Sequence, residues 1–132
     1  MLVAFLVLVT KMGDVGAYFV GNIMGRHNLI PRISPHKTIE GTMGGLVFSV
    51  LSAVASKSYL PNFSYAHLVV LGILLGILAQ VGDLAESLLK RDCAVKDAGG
   101  ILPGLGGMLD IIDSLLFTTP IFYFYIVVLM KR

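Results

Sequence analysis

The sequence predicts an all-α polytopic membrane protein, with about four transmembrane helices and two long cytoplasmic loops. Three observations carry this. Hydrophobic residues make up 56% of the 132, and the mean hydropathy is +0.87. Charged residues are only 14%, against roughly 25% in soluble domains. The apolar residues also gather into runs near the ~20 residues that a helix needs to cross a hydrocarbon core about 30 Å thick. Inside lipid the backbone must satisfy its own hydrogen bonds, so such runs read as helices.

The first helix is expected from about Leu2 to Met24, interrupted by Lys11 and Asp14. Its start, Met1 to Val9, is apolar with no preceding positive charge and no cleavage signal. It reads as the lower part of a spanning helix and not as a signal peptide. The expectation is therefore that further helices precede it in the whole protein. The second helix is expected from about Glu40 to Leu60. The third, from about Tyr65 to Lys90, is apolar as far as Ala79 and acidic beyond it. The fourth is expected from about Met108 to Met130, with a kink below Pro120.

Two long connections, Gly25–Ile39 and Arg91–Gly107, fall on one side by parity. They carry Arg26, Arg32, Lys37, Arg91 and Lys96, with Lys90 at the border. The other side has Lys57, Lys131 and Arg132. The positive-inside bias assigns the two loops to the cytoplasm. The stretch around Pro61–Asn62 is then a short turn on the far side. A net charge of +2 is too small to suggest a nucleic-acid partner. Asparagine and glutamine are scarce. The lone Cys93 excludes an internal disulfide and reads as a bystander thiol. The pairs Gly21/Gly25, Gly41/Gly45 and Gly72/Gly76 have the small-xxx-small spacing that lets helices approach closely. Gly72/Gly76 has no polar neighbours and reads as packing, whereas the other two pairs border charged residues.

The acids are the informative residues. Of eight, six lie within or at the ends of the expected helices: Asp14, Glu40, Asp83, Glu86, Asp110 and Asp113. Each carboxylate at membrane depth costs about 2.5–3.5 kcal/mol on insertion scales. Such residues must face a polar interior and find cations. Asp83, Glu86, Ser87 and Lys90 share one helix face at i, i+3, i+4 and i+7. Asp110 and Asp113 are also three apart, and Asp14 shares a face with Lys11 and Tyr18. Ion pairs with Lys11, Lys90 or Arg91 would account for single acids, but these cations are too few for all six. Paired carboxylates on two helices suit Mg²⁺ or Mn²⁺. The three histidines, His27, His36 and His67, form no zinc pattern. His27 and His36 read as solvated loop residues, and His67 as interfacial.

Between the acidic segments, Gly99, Gly100, Gly104, Gly106 and Gly107 allow backbone to approach a ligand and present N–H groups to an anion. The loop enters a helix at about Met108, whose N-terminus favours phosphate. This is no Walker A loop: Pro31 and His36 stand where its glycines belong, and no Lys-Ser/Thr pair follows Gly104–Gly107. No strand precedes the glycines as a dinucleotide fold requires, and no Ser-His-Asp or Cys-His arrangement has a recognisable context.

The stretch Ser87-Leu-Leu-Lys90-Arg91, four residues, Lys96-Asp97-Ala-Gly99, then Ile101-Leu102-Pro103-Gly104-Leu105-Gly106-Gly107-Met-Leu-Asp110-Ile111-Ile-Asp113 resembles the signature of the phosphatidate cytidylyltransferases, the CDP-diacylglycerol synthases. Upstream blocks fit the same family: Asp14-Val-Gly16-Ala17-Tyr18 with Gly21 and Gly25, then Pro31, Ser34-Pro35-His36-Lys37-Thr38-Ile-Glu40-Gly41 with Gly44-Gly45. Gly82-Asp83-Leu-Ala-Glu86-Ser87 is a third block. The likeness covers nearly the whole chain, which corresponds to the C-terminal, catalytic half of the family pattern as residues 1–132. The chain departs from that pattern at Leu105, where the family has His, and at Ile111, where it has Arg. The departures remove a proton or phosphate contact and a fixed cation.

The resemblance implies transfer of CMP from CTP to phosphatidate, giving CDP-diacylglycerol and pyrophosphate in phospholipid synthesis. It implies Mg²⁺, with a second cation allowed, on Asp83, Asp110 and Asp113, with Glu86 and Asp14 nearby. Lys37, Lys90, Arg91 and Lys96 would hold phosphates, Lys96 counting with the three aspartates as catalytic. Ser34, Thr38 and the Gly104, Gly106 and Gly107 loop would shape the nucleotide pocket. The partners implied are CTP, a lipid phosphate and membrane lipid; four helices with six buried acids are marginal without partner helices, so a second copy of the chain or a missing segment is expected as well. The location implied is the bacterial inner membrane, with the site facing the cytoplasm. Two rivals stand beside this reading. One is a related CTP-dependent membrane enzyme, a CDP-archaeol synthase or polyprenol kinase. The other is an ion-coupled transporter, which also uses intramembrane carboxylates but needs no long cationic, glycine-rich loop.

Overall fold

The structure is a computed structural model and describes residues 1–30, 34–92 and 108–129. Helix α1 spans Leu2–Met24, α2 Ile39–Ala55, α3 Tyr65–Asp92 and α4 Met108–Leu129. Three segments, Leu2–Met24, Ile39–Ser58 and Tyr65–Leu89, are long and apolar enough to cross a membrane, and Leu115–Val128 is a shorter apolar helix. The expected four-helix membrane fold is thus the observed one. The chain is an integral membrane protein.

Between α1 and α2 the structure adds a hairpin to the helices. Strands β1 (Asn28–Ile30) and β2 (Ser34–Thr38) pair antiparallel, Asn28 opposite Thr38 and Ile30 opposite Ser34. Apolar periodicity cannot signal so short a strand pair. Pro35, which lacks an N–H, is tolerated because a two-stranded ribbon has only edge strands. Helix α2 also stops sooner than expected: a 3-10 turn, Ser56–Ser58, takes over after Ala55. Lys57 then donates from Nζ to the carbonyls of Pro61 (3.0 Å) and Phe63 and lies over the Tyr65 ring, closing the far-side turn. Pro120 sits inside α4 without ending it.

Helices α1 and α2 cross closely, and the sequence shows why. A Cβ on Gly41 would stand 2.7 Å from the carbonyl oxygen of Ala17 and 3.1 Å from the Cα of Gly21. One on Gly45 would meet the carbonyl oxygen of Gly13 at 2.9 Å. Gly72 and Gly76 likewise admit α2 at Val50 and Ser49, the packing role expected of that pair. The apolar core gathers at one end of the bundle: Phe5, Leu6, Val9, Ala53, Leu68, Leu71, Leu75 and Phe122 are all buried. Phe5, early in α1, stacks on Phe122 of α4 at 5.9 Å, and His67, early in α3, meets Tyr125 of α4 edge-on. Helix α4 therefore runs antiparallel to α3, and its first turns lie at the opposite end of the bundle.

Candidate functional site

That opposite end holds a cavity of about 430 Å³, within the size range of small-molecule sites. Asp14, Ala17, Tyr18, Gly21 and Asn22 of α1 line it. Leu29, Lys37 and Thr38 of the hairpin, Gly41 and Thr42 of α2, and Gln80, Asp83 and Leu84 of α3 complete the lining. Four elements meet here because the glycines of α1 and α2 remove side-chain bulk at the crossing, leaving space beside it.

Two acids and a lysine set the electrostatics. Lys37 Nζ lies 3.2 Å from Asp83 Oδ2, joining the hairpin to α3. The ammonium is shut off from solvent, yet no acceptor among the described residues is aligned for a hydrogen bond with it. The contact with Asp83 is an ion pair at the cavity wall. Asp14, on the facing helix, takes a 3.2 Å hydrogen-bonded ion pair from Lys11. Thr38 is the N-cap of α2, its Oγ1 accepting from Gly41 N at 3.1 Å, so the cap also fixes the hydroxyl at the cavity wall.

Of the residues the sequence put forward, the structure brings Asp14, Lys37, Thr38 and Asp83 to one cavity. Glu86 lies one turn further along α3, buried and outside the lining. Glu40 departs from the expectation of a membrane-depth acid facing a polar interior. It stands in the first turn of α2, where it accepts from the backbone N–H of Arg26 and His27 at 3.2 and 3.3 Å and bonds the His27 ring at 2.7 Å. It anchors the base of the hairpin. His27 is exposed, as expected, but held by this bond. Asp110 and Asp113 lie in the first turns of α4, Lys90 and Arg91 in the last turns of α3, and Ser34 in β2; their side chains fall outside the described residues. Lys96, Gly104, Gly106 and Gly107, with Cys93, lie outside them altogether. No three His, Cys, Asp or Glu among the described residues gather closely enough to hold a metal ion.

Sequence reasoning set Tyr18 on the face of Asp14 without making it a site residue, and it missed Asn22, Thr42 and Gln80 as lining residues. Only Gln80 carried a signal: it is the chain's single glutamine, at membrane depth, three residues before Asp83.

The family described as "Cytidylyltransferase family" matches residues 1–129. The phosphatidate cytidylyltransferase of Bacillus subtilis is 48% identical over 113 residues, covering 84% of this chain and 42% of its own length. The Escherichia coli protein YnbB is 40% identical over 126 residues, 96% of this chain and 42% of that protein. The chain thus spans somewhat under half the length of these relatives. A solved structure described as an intramembrane enzyme for archaeal membrane lipids biosynthesis superposes with a TM-score of 0.61. It is 21% identical, covering 88% of this chain and 75% of that one, and it supports the fold.

Proposed function

The chain belongs to the cytidylyltransferase family, and from that membership we propose that residues 1–132 form the catalytic membrane region of a phosphatidate cytidylyltransferase. The reaction is transfer of CMP from CTP to phosphatidate, giving CDP-diacylglycerol and pyrophosphate. The observation that carries the reading is the cavity that holds Asp14, Asp83 and the Lys37 ammonium paired with Asp83. An ion-coupled transporter would use the acids but has no need of a lysine presented to them from an extramembrane hairpin.

Both reactants are anions, and a lipid phosphate oxygen attacks the α-phosphate of CTP as pyrophosphate leaves. Lys37 would hold a phosphate there, and Lys90 and Arg91, in the last turns of α3, with Lys96 in the connection that follows, would add positive charge. Thr38, with Ser34 and the Gly104, Gly106 and Gly107 loop, would shape the nucleotide pocket. The carboxylate oxygens suit Mg²⁺, but the described residues bring only Asp14 and Asp83 together. The set then needs Asp110 and Asp113, and the antiparallel course of α4 favours this by starting that helix at the cavity end. Divalent cations screen phosphate repulsion and stabilise a leaving pyrophosphate. The lipid would reach the site sideways from the bilayer, in a bacterial inner membrane with the cavity facing the cytoplasm and two copies associated.

The test is transfer of labelled CMP from CTP to phosphatidate, with Mg²⁺, in membranes expressing the chain, with Asp110→Asn as the blank. Transfer lost in Asp110→Asn supports the reading. A wild-type signal no higher than the blank rejects the chain as a self-sufficient enzyme. Transfer to an archaeal or polyprenyl acceptor in place of phosphatidate would reassign the lipid.

A further inference from the structure

The side-chain amide of Gln80 bonds α3 to α2. Its Nε2 donates to the carbonyl oxygen of Thr42 at 2.9 Å. Gly45 makes room for it, since a Cβ there would stand 2.9 Å from the same nitrogen. Gln80 and Asp83 are three residues apart and both line the cavity, so whatever fixes the rotation of α3 at Gln80 also fixes the direction of Asp83. On the other side, Asp83 is met by Lys37 from the hairpin, which continues directly into α2. The two contacts close a loop: Lys37 to Asp83, along α3 to Gln80, across to Thr42, and back along α2 to the hairpin.

We propose that Gln80 is a positioning residue for Asp83. Its bond to Thr42 holds α3 in the rotation that sets the Asp83 carboxylate against Lys37 and into the cavity. The catalytic consequence rests on the cytidylyltransferase reading; the geometric statement does not. An amide–carbonyl bond between membrane helices stabilises a bundle only modestly. Its loss therefore reads most clearly in what Asp83 does.

The geometric part is tested by thermal unfolding in detergent of wild type, Gln80→Met, Lys37→Met and the double variant. Methionine keeps the length of glutamine without its donor. If Gln80 sets Asp83 against Lys37, the Tm loss from Lys37→Met falls by at least half in the Gln80→Met background. Equal losses in both backgrounds overturn the proposal, because a residue that only aids folding lowers Tm without altering the worth of the Lys37 pair. Should Gln80→Met fail to fold, Gln80→Glu replaces it, putting an acceptor where the donor stood. The catalytic part is read in the CMP-transfer assay. Gln80→Met is expected to lower kcat about 10- to 100-fold, the usual effect of displacing a reacting group by an ångström, and to raise the Mg²⁺ concentration for half-maximal rate. A kcat loss with unchanged Mg²⁺ dependence would show that Gln80 does not act through Asp83. An inactive wild type would count against the enzyme reading alone, and the unfolding cycle would still decide the role of Gln80.

Discussion

At the scale of single residues, the cavity concentrates its chemistry in Lys37 and Asp83. Lys37 is a buried ammonium with one carboxylate beside it and no aligned acceptor among the described residues. That arrangement is unfavourable for stability alone and favourable for binding an anion. Lys37→Met should therefore lower CMP transfer by roughly 10²–10³-fold, the effect of losing one preorganised electrostatic group, while costing less than the roughly 3–5 kcal/mol of breaking a fully buried pair. Steady-state kinetics with CTP as the varied substrate, beside detergent unfolding, separates the two effects. Thr38 has a dual position, as helix cap and as cavity wall. Thr38→Ala should cost about 1 kcal/mol through the lost cap. Thr38→Ser, which keeps the hydroxyl, should recover most of that stability in the same unfolding experiment.

At the scale of elements, the hairpin and the α1–α2 crossing decide whether a cavity exists. The hairpin brings Leu29 and Lys37 over the helix ends, and Glu40 pins its base through Arg26, His27 and the His27 ring. Glu40→Ala should leave the helices folded and free the hairpin. Trypsin cleavage after Arg26 would then be several-fold faster than in wild type, and an unchanged cleavage rate would count against the anchoring role. The crossing depends on glycine at 41, where an added Cβ meets the Ala17 carbonyl and the Gly21 Cα. Backbone cannot yield as a flexible side chain can. Gly41→Val should therefore destabilise by about 1–3 kcal/mol or more and reduce CTP binding along with it. A fully stable Gly41→Val protein would show that α1 and α2 have another way to pack.

At the scale of the whole molecule, the bundle is divided between an apolar end and a polar end. Phe5, Leu68, Leu71 and Phe122 close one end, and Asp14, Lys37 and Asp83 open the other. The membrane class, the four helices and the two acids that line the cavity, Asp14 and Asp83, were legible in the sequence. Long apolar runs have one solution in lipid, and a charge placed within them has few permitted surroundings. The family was legible too, through motif residues spread over nearly the whole chain. The hairpin was not, because its strands are three and five residues long and show no periodicity. Neither was the work of Glu40, since a carboxylate that satisfies backbone N–H groups has the same one-dimensional appearance as one that binds a ligand. Gln80 was passed over as a scarce residue type, although a lone amide at membrane depth must find a partner.

By itself, the sequence determined that this chain lives in a membrane as helices and that Asp14 and Asp83 needed a polar enclosure. The tertiary structure alone decided which of the acids share that enclosure, because cost of burial depends on each residue while neutralisation depends on the partner brought to it. Lys37 and Asp83 are separated by 46 positions in the chain, and the packing of α2, with the hairpin that leads into it, against α3 brings them within 3.2 Å.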